Sequence, residues 1–302
     1  MTTQLRTRIA DSLAKPVAPQ VRRFAEHLAG EAGAVAILFY GSNLRTGELE
    51  GVIDYYVLLP GEPERGIWPR VSYHEWNDDG QELRAKVATM TMAKFAEAAS
   101  GALIDTTIWA RFVQPSALVW QRDEAAGQAV EDALAAAATT AARLAAVLGP
   151  ERGPAEDYLT ALFRATYRAE FRIERAGREQ SILALNARHF DGLFPLALDE
   201  AGITFGRDGD LLAPRVSKVE RDKVRRWWSK RRRLGKPLNL LRLLRAASTF
   251  EGAARYAAWK VQRHTGVQIE LTPWRERHPV LAAPGVLWSL WRARRTNRAA
   301  RN

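Results

Sequence analysis

The chain has 302 residues, no cysteine, 47% hydrophobic and 26% charged residues, and a formal net charge of +11. That composition is of a folded protein long enough for two domains and a sizeable core, and without cysteine it has no disulfides, no thiolate catalysis and no cysteine-ligated zinc. The charge is uneven: residues 215–302 hold 23 Lys and Arg against 5 Asp and Glu, whereas residues 1–214 hold 22 against 29.

The N-terminal "MTTQLRTRIADSLAKPVAPQ" lacks the apolar core of a secretory signal, and no apolar run approaches the roughly 20 residues needed to span a bilayer. A reducing, cytoplasmic setting is expected. Residues 17–30 carry apolar positions at helical spacing and stop at Gly30. "AVAILFY" (34–40) and "GVIDYYVLLP" (51–60) are apolar runs stopped by Gly41 and Pro60, and predict buried strands. Residues 61–80, rich in Gly, Pro, Asn and Asp, predict a loop around "RVSYHEW". A strand over 83–91, a helix over 92–101 and a strand over 117–120 follow. The Ala-rich stretch 122–148 predicts a long helix.

"GPERGP" (149–154) breaks that helix and marks a domain boundary. Beyond it "AEDYLTALFRATYRAEF" begins as a helix, and "FRIERAGREQSILAL" (171–185) predicts a hairpin of two β-like runs around "RAGRE". "NARHFDGLFPLALDEAG" (186–202) is expected to be helical, with Pro195 at odds with an unbroken helix. Residues 151–214 thus predict a small helix-plus-hairpin domain, for which a winged helix is one candidate. Residues 215–302 predict a basic, helical region holding six of the ten tryptophans. Within it "VSKVERDKVRRWWSKRRRLG" and "PLNLLRLLRAASTFEGAARYAAWKVQRHTG" each interleave apolar and basic positions. Such a region implies a polyanionic partner surface, unless it is only a solvated, Arg-rich face.

"FYGSNLRTGELEGVIDYYVLL" (39–59) carries the chemistry. A strand, a Gly-Ser turn and a second strand bearing an acid form the outline of a nucleotidyl-transfer site. Glycine lets backbone N–H groups approach a triphosphate closely, and the serine hydroxyl adds a donor. An aspartate there can hold Mg²⁺ (or Mn²⁺) bridging the phosphates. Paired-carboxylate sites place a second acid two residues on, where strand alternation keeps it on the same face. Tyr56 occupies that place. A second ligand would then come from elsewhere, with Glu48, Glu50 and Glu170 as candidates, or the metal would lean on phosphates and water.

Three collinear segments resemble the mitochondrial-type phosphatidate cytidylyltransferases, the translocator assembly and maintenance family that makes CDP-diacylglycerol. They are "FYGS…VIDYYVLL", residues 83–120 with Arg84, Arg111 and Pro115, and "TYRAEFRIERAGREQSILAL" (166–185) with Glu170 and Arg172. Together they span roughly residues 34–190 in the family's order. The chain departs from the family in having Ala85-Lys86 where a Tyr-Gly pair is expected, and only "SYHEWN" (72–77) where a His- and Asn-rich block is expected.

The resemblance implies an α/β (α+β) nucleotidyltransferase domain over residues 1–150. It implies transfer of a cytidylyl group from CTP to a lipid phosphate, giving a CDP-lipid and pyrophosphate. Phosphatidate is the leading acceptor, with another phosphorylated lipid such as a ceramide phosphate also compatible. In this reading Asp54 holds the metal, and Tyr40, Gly41, Ser42, Asn43, Arg45 and Arg111 bind nucleotide. Ser42, Arg84 and Lys86 act with Asp54 at the reacting phosphates, and Tyr167, Glu170 and Arg172 meet the lipid phosphate. Tyr73 and His74 are further candidates for contact with base or lipid. Such an enzyme must reach a bilayer, and the basic, Trp-rich residues 215–302, most sharply "PGVLWSLWRARR" (284–295), suit an anionic membrane surface. The tryptophans sit beside leucines rather than singly among polar residues, which favours lipid over nucleic acid as the partner. The same apolar faces would also suit packing against the first two domains. The expected place is the cytoplasmic face of the inner membrane, as a peripheral protein.

Overall fold

The computed structural model describes residues 3–66, 69–170, 178–249, 252–265 and 272–274. Helix α1 (Gln4–Leu13) is capped by the Thr3 hydroxyl, which accepts from the Arg6 N–H. Helix α2 (Pro19–Ala32) begins on proline and ends at Gly33, whose φ of 61° suits the left-handed C-cap. Gly30, the expected stop, lies inside α2; a helix tolerates one glycine at a cost of about 1 kcal/mol. Strand β1 (Ala36–Tyr40) runs into the short helix α3 (Ser42–Thr46), and strands β2 (Ile53–Leu59), β3 (Arg70–Asp78) and β4 (Gln81–Thr91) follow. Helices α4 (Met92–Ala99) and α5 (Thr107–Phe112), strand β5 (Ser116–Gln121) and helix α6 (Glu124–Leu148) complete this part.

The five strands form one mixed sheet in the order β3-β4-β2-β1-β5. Only β2 and β4 run parallel. Side chains alternate across it. Ile37, Phe39, Tyr55, Val57 and Val87 pack on one face with Phe24 and Leu28 of α2. Leu38, Tyr40, Tyr56, Leu58 and Met90 join the larger cluster on the other face, with Phe95 of α4, Phe112 of α5 and the Ala-rich α6. The arrangement is α+β, consistent with the nucleotidyltransferase fold.

Residues 70–78, expected as loop, instead form the edge strand β3, paired antiparallel to β4 from Arg70↔Thr89 to Asp78↔Gln81. Arg70, Glu75 and Asn77 occupy exposed positions of this strand, whereas Asp78 is buried and paired with Arg23 of α2. Asp79 and Gly80, at φ 49° and 90°, make the tight turn into β4, and the Asn77 carboxamide accepts the Gly80 N–H at 2.8 Å.

Beyond α6 come β6 (Gly153–Pro154), α7 (Ala155–Ala169), α8 (Arg178–Leu185), α9 (Ala187–Phe190), α10 (Leu193–Glu200), β7 (Phe205–Asp208) and β8 (Leu211–Pro214). A helix-plus-hairpin unit is present, with a small sheet in the order β6-β8-β7, but its hairpin is β7–β8 around Gly209. The hairpin expected over 171–185 is not formed: residues 171–177 lie outside the described residues, and 178–185 are helix α8. Ile182 and Leu183 are buried in the larger cluster against α7, a tertiary demand that outweighs their β-like appearance. Residues 186–202 form two helices, parted at Asp191-Gly192. Pro195 sits in the first turn of α10, where its missing N–H has no intrahelical partner to lose. Residues of this unit, among them Tyr158, Leu162 and Phe194, share one hydrophobic cluster with α6 and the sheet.

Helix α11 (Lys218–Thr249) and helix α12 (Ala253–Thr265) end the described structure apart from residues 272–274. Helix α11 continues through Gly235 and Pro237. Gly235 is packed against the Ala169 carbonyl, so it serves close approach rather than termination. Among the described residues no helix is long and apolar enough to cross a membrane. "PGVLWSLWRARR" (284–295) and Arg172 lie outside the described residues.

Candidate active site

The antiparallel register of β1 and β2 sets Tyr40 opposite Asp54, so the glycine that ends β1 lies against the aspartate. Gly41 has φ 91°, and a Cβ there would stand 2.8 Å from Asp54 Oδ2. Both facts restrict the position to glycine, since the backbone conformation and the close approach each exclude a side chain. Asp54 points to the same face as Tyr56, as strand alternation requires. Tyr56 is 2% exposed and packs edge-to-face on Phe112 at 5.1 Å between centroids. The second-carboxylate place is therefore core, filled by an aromatic ring.

Asp54 opens into a cleft of about 560 Å³ between the sheet end, the α1–α2 connection and helices α7 to α9. Its walls include Tyr40, Gly41, Ser42, Arg45, Arg111 and Tyr167, all expected at the site, and also Lys15, Gln114, Ile182, Leu185, Asn186, Arg188 and His189, which no motif marked. Their convergence depends on tertiary packing between elements more than 100 residues apart, which carries no local signal. Four cations, Lys15, Arg45, Arg111 and Arg188, face one carboxylate, Asp54, among the described residues lining the cleft.

The electrostatics centre on Asp54 and Arg111. Burial raises the Asp54 pKa above 3.8, while Lys86 and Arg111 pull it back. Lys86 is its register partner on the parallel strand β4. Arg111, in the last turn of α5, lies over the Tyr40 ring with its guanidinium carbon 4.9 Å from the centroid. Burial opposes its charge, but Tyr40, Tyr56, Glu170 and Asp54 outweigh that, and the guanidinium stays firmly cationic. Its Nε is buried with no hydrogen-bond partner. A buried, cationic donor left unspent at a cleft wall is suited to an anion.

The remaining expected residues serve other contacts. Asn43 is buried, and its amide donates to the Glu48 carbonyl at 2.8 Å, which shapes the turn after α3. Glu48 and Glu50 are exposed and do not line the cleft. Glu170 is 6% exposed and accepts from the Thr106 hydroxyl at 2.8 Å, behind Arg111 rather than in the cleft. Arg84 lies away from the cleft, paired with Glu75 and Glu82 and set over the Trp259 ring of α12. Tyr73 packs on Tyr256 of α12, and His74 bonds Ser72 at 2.8 Å on a separate groove beside α2. His189, at the cleft wall, is neutral: burial lowers its pKa to about 4, and its Nε2 lies 3.0 Å from the Val113 carbonyl.

Among the described residues no group of three or more His, Asp or Glu could hold a metal ion. A single carboxylate fits Mg²⁺ only when phosphates and water complete its shell, as is common for this ion. The donor set thus suits a cation that arrives with a polyphosphate, with Asp54 as its protein ligand. No protein-family model matches the chain, and no curated protein matches it.

Proposed function

We propose that the protein is a nucleotidyltransferase that condenses CTP with a lipid phosphate, phosphatidate foremost, to give a CDP-lipid and pyrophosphate at a membrane surface. The observation that carries this reading is the contact of Gly41 with Asp54 at the mouth of a cleft whose walls hold four cations. Cytidine as the base rests on the family resemblance alone.

The chemistry asks mainly for positioning and charge. A phosphomonoester has its second pKa near about 6, so it is already largely ionised at neutral pH and needs no general base. One of its oxygens attacks the α-phosphorus of CTP; the new P–O bond forms as the bond to the bridging oxygen breaks, and pyrophosphate leaves with the electron pair. Gly41 admits the triphosphate close to the backbone, and the exposed Ser42 hydroxyl offers a donor. Arg111 and Arg45 offset charge on the phosphates, and Lys86 favours the ionised form of Asp54. Mg²⁺, held by Asp54 when bound, would neutralise charge on the leaving pyrophosphate. The apolar part of the cleft, with Leu44, Ile182 and Leu185, suits an acceptor that carries hydrocarbon. Membrane contact is assigned to residues 215–302; α11 exposes Leu234, Leu240 and Leu241 beside Arg232, Arg233 and Lys236.

The test is purified protein with α-labelled CTP, Mg²⁺ and phosphatidate in liposomes. The expected result is label in the lipid phase with equimolar pyrophosphate, and weaker transfer from ATP, GTP or UTP. Absence of transfer to phosphatidate, ceramide phosphate or any other lipid phosphate would contradict the reading.

A further inference from the structure

We propose that the end of the cleft formed by Lys15, Arg188, Ile182 and Leu185 is the acceptor subsite, and that it takes the phosphate and proximal hydrocarbon of a long-chain phosphomonoester. The role as acceptor site rests on the nucleotidyl-transfer reading; the binding of such a ligand does not.

Three observations converge. The first is a built wall. Arg8 of α1 donates to the carbonyls of Arg188 and His189, at 3.3 and 3.0 Å, and to that of Asp191. This guanidinium ties the α9 turn to α1 and so brings Lys15, just beyond α1, and Arg188, on α9, to one side of the cleft. The second is unspent charge. Neither Lys15 nor Arg188 has a hydrogen-bond or ion-pair partner for its side chain among the described residues, whereas Arg23, Arg84, Lys94 and Arg242 are all paired with acids. Lys15 lies at the surface, yet partial desolvation first, then the charges of Arg8 and Arg188, lower its pKa. Like charges held together in this way are relieved by a bound anion. Arg111, whose charge acts on Asp54, and Arg45, on the short helix that begins at Ser42, line the same cleft, so a second phosphate has its own pair of cations.

The third is the apolar rim. Ile182 is buried, but Leu185, next to Asn186 on the same wall, is 53% exposed. A large aliphatic side chain left in water beside two cations matches an amphiphile: phosphate to the cations, hydrocarbon over the leucine. Glycerol 3-phosphate or inorganic phosphate would meet the same cations but leave Leu185 uncovered.

The test is direct binding to the full chain, by titration calorimetry, of dihexanoyl phosphatidate below its micelle concentration. Glycerol 3-phosphate, inorganic phosphate and CTP are measured in parallel, in wild type and in Lys15→Ala, Arg188→Ala and Leu185→Gln. All three side chains are exposed, so the variants are expected to fold. The short-chain phosphatidate should bind at least about tenfold more tightly than glycerol 3-phosphate or phosphate, and each cation removed should weaken it about tenfold, the worth of a charge-assisted hydrogen bond. CTP affinity should be unchanged in all three variants, and Leu185→Gln should narrow the gap between phosphatidate and glycerol 3-phosphate. Equal affinity for the lipid and water-soluble phosphates in wild type would overturn the proposal. So would loss of CTP binding in place of lipid binding in the cation variants. Lipid binding without any CTP turnover would uphold the subsite and defeat the transfer reading; turnover with lipid binding indifferent to both cations would do the reverse.

Discussion

Asp54 is held at a cost to stability. Its carboxylate is pushed toward the protonated form by burial, and Lys86 and Arg111 only partly offset this. Above its raised pKa the folded protein carries a charge that the unfolded chain solvates better; below the unfolded value of 3.8 both states are protonated and the penalty vanishes. Asp54→Asn should therefore melt at a higher temperature than wild type near neutral pH, and the gap should close as the pH falls toward 4, a thermal-melt series being the check. His189 gives the opposite slope. Its folded pKa of about 4 lies below the usual 6.5, so between those values the unfolded chain binds a proton that the folded protein refuses, and stability falls as pH falls. His189→Gln should flatten the melting curve across that window. Gly41, Ser42 and Asp54 were legible because they sit at the ends of two adjacent strands, where spacing and residue type suffice. Lys15, Arg188 and His189 were not, because an arginine bridging α1 and α9 brings them to the cleft, and no spacing encodes that.

Helix α11 is fastened to the sheet-bearing half by arginine rather than by apolar burial alone. Arg231 is 3% exposed and donates to the carbonyls of Gly101 and Leu103 at 2.6 and 2.5 Å, with its guanidinium carbon 3.9 Å from the Trp227 ring centroid. Further along, Arg242 meets Asp105 at 2.9 Å in the loop that leads into α5 and Arg111. Arg231→Ala removes the donor to the part-buried Leu103 carbonyl and one of the two donors to the buried Gly101 carbonyl, which Trp227 Nε1–H still reaches, and should lower unfolding free energy by about 2 kcal/mol in denaturant titration, with Arg231→Lys restoring little, because an ammonium cannot reproduce the fork. At this scale the sequence misled where tertiary contacts overrule local preference. An edge strand with polar outer positions resembled a loop at 70–78, and a helix with adjacent Ile182 and Leu183 resembled a β-run. The long Ala-rich α6 and the β1–β2 pair were read correctly, since their own composition and period already specify them.

Over the whole molecule the charge divides with the architecture: residues 1–214, which build the sheet and cleft, are net acidic, and residues 215–302 are strongly basic. A surface of that sign next to exposed leucines of α11 should bind anionic vesicles. Flotation with phosphatidylglycerol-rich liposomes should recover the protein at about 0.1 M salt and lose much of it at about 0.5 M, as screening shortens the reach of each charge. Binding to duplex DNA at the lower salt without flotation would assign the basic region to nucleic acid instead. The proposed reaction would need both halves, with nucleotide held at Asp54 and an acceptor drawn from the bilayer. The most direct test is transfer of α-labelled CTP to liposomal phosphatidate by wild type and by Asp54→Asn at equal, verified foldedness. Transfer by wild type and a fall of at least about a hundredfold in the variant, despite its higher melting temperature, is the predicted result. Undiminished transfer by Asp54→Asn would contradict the account.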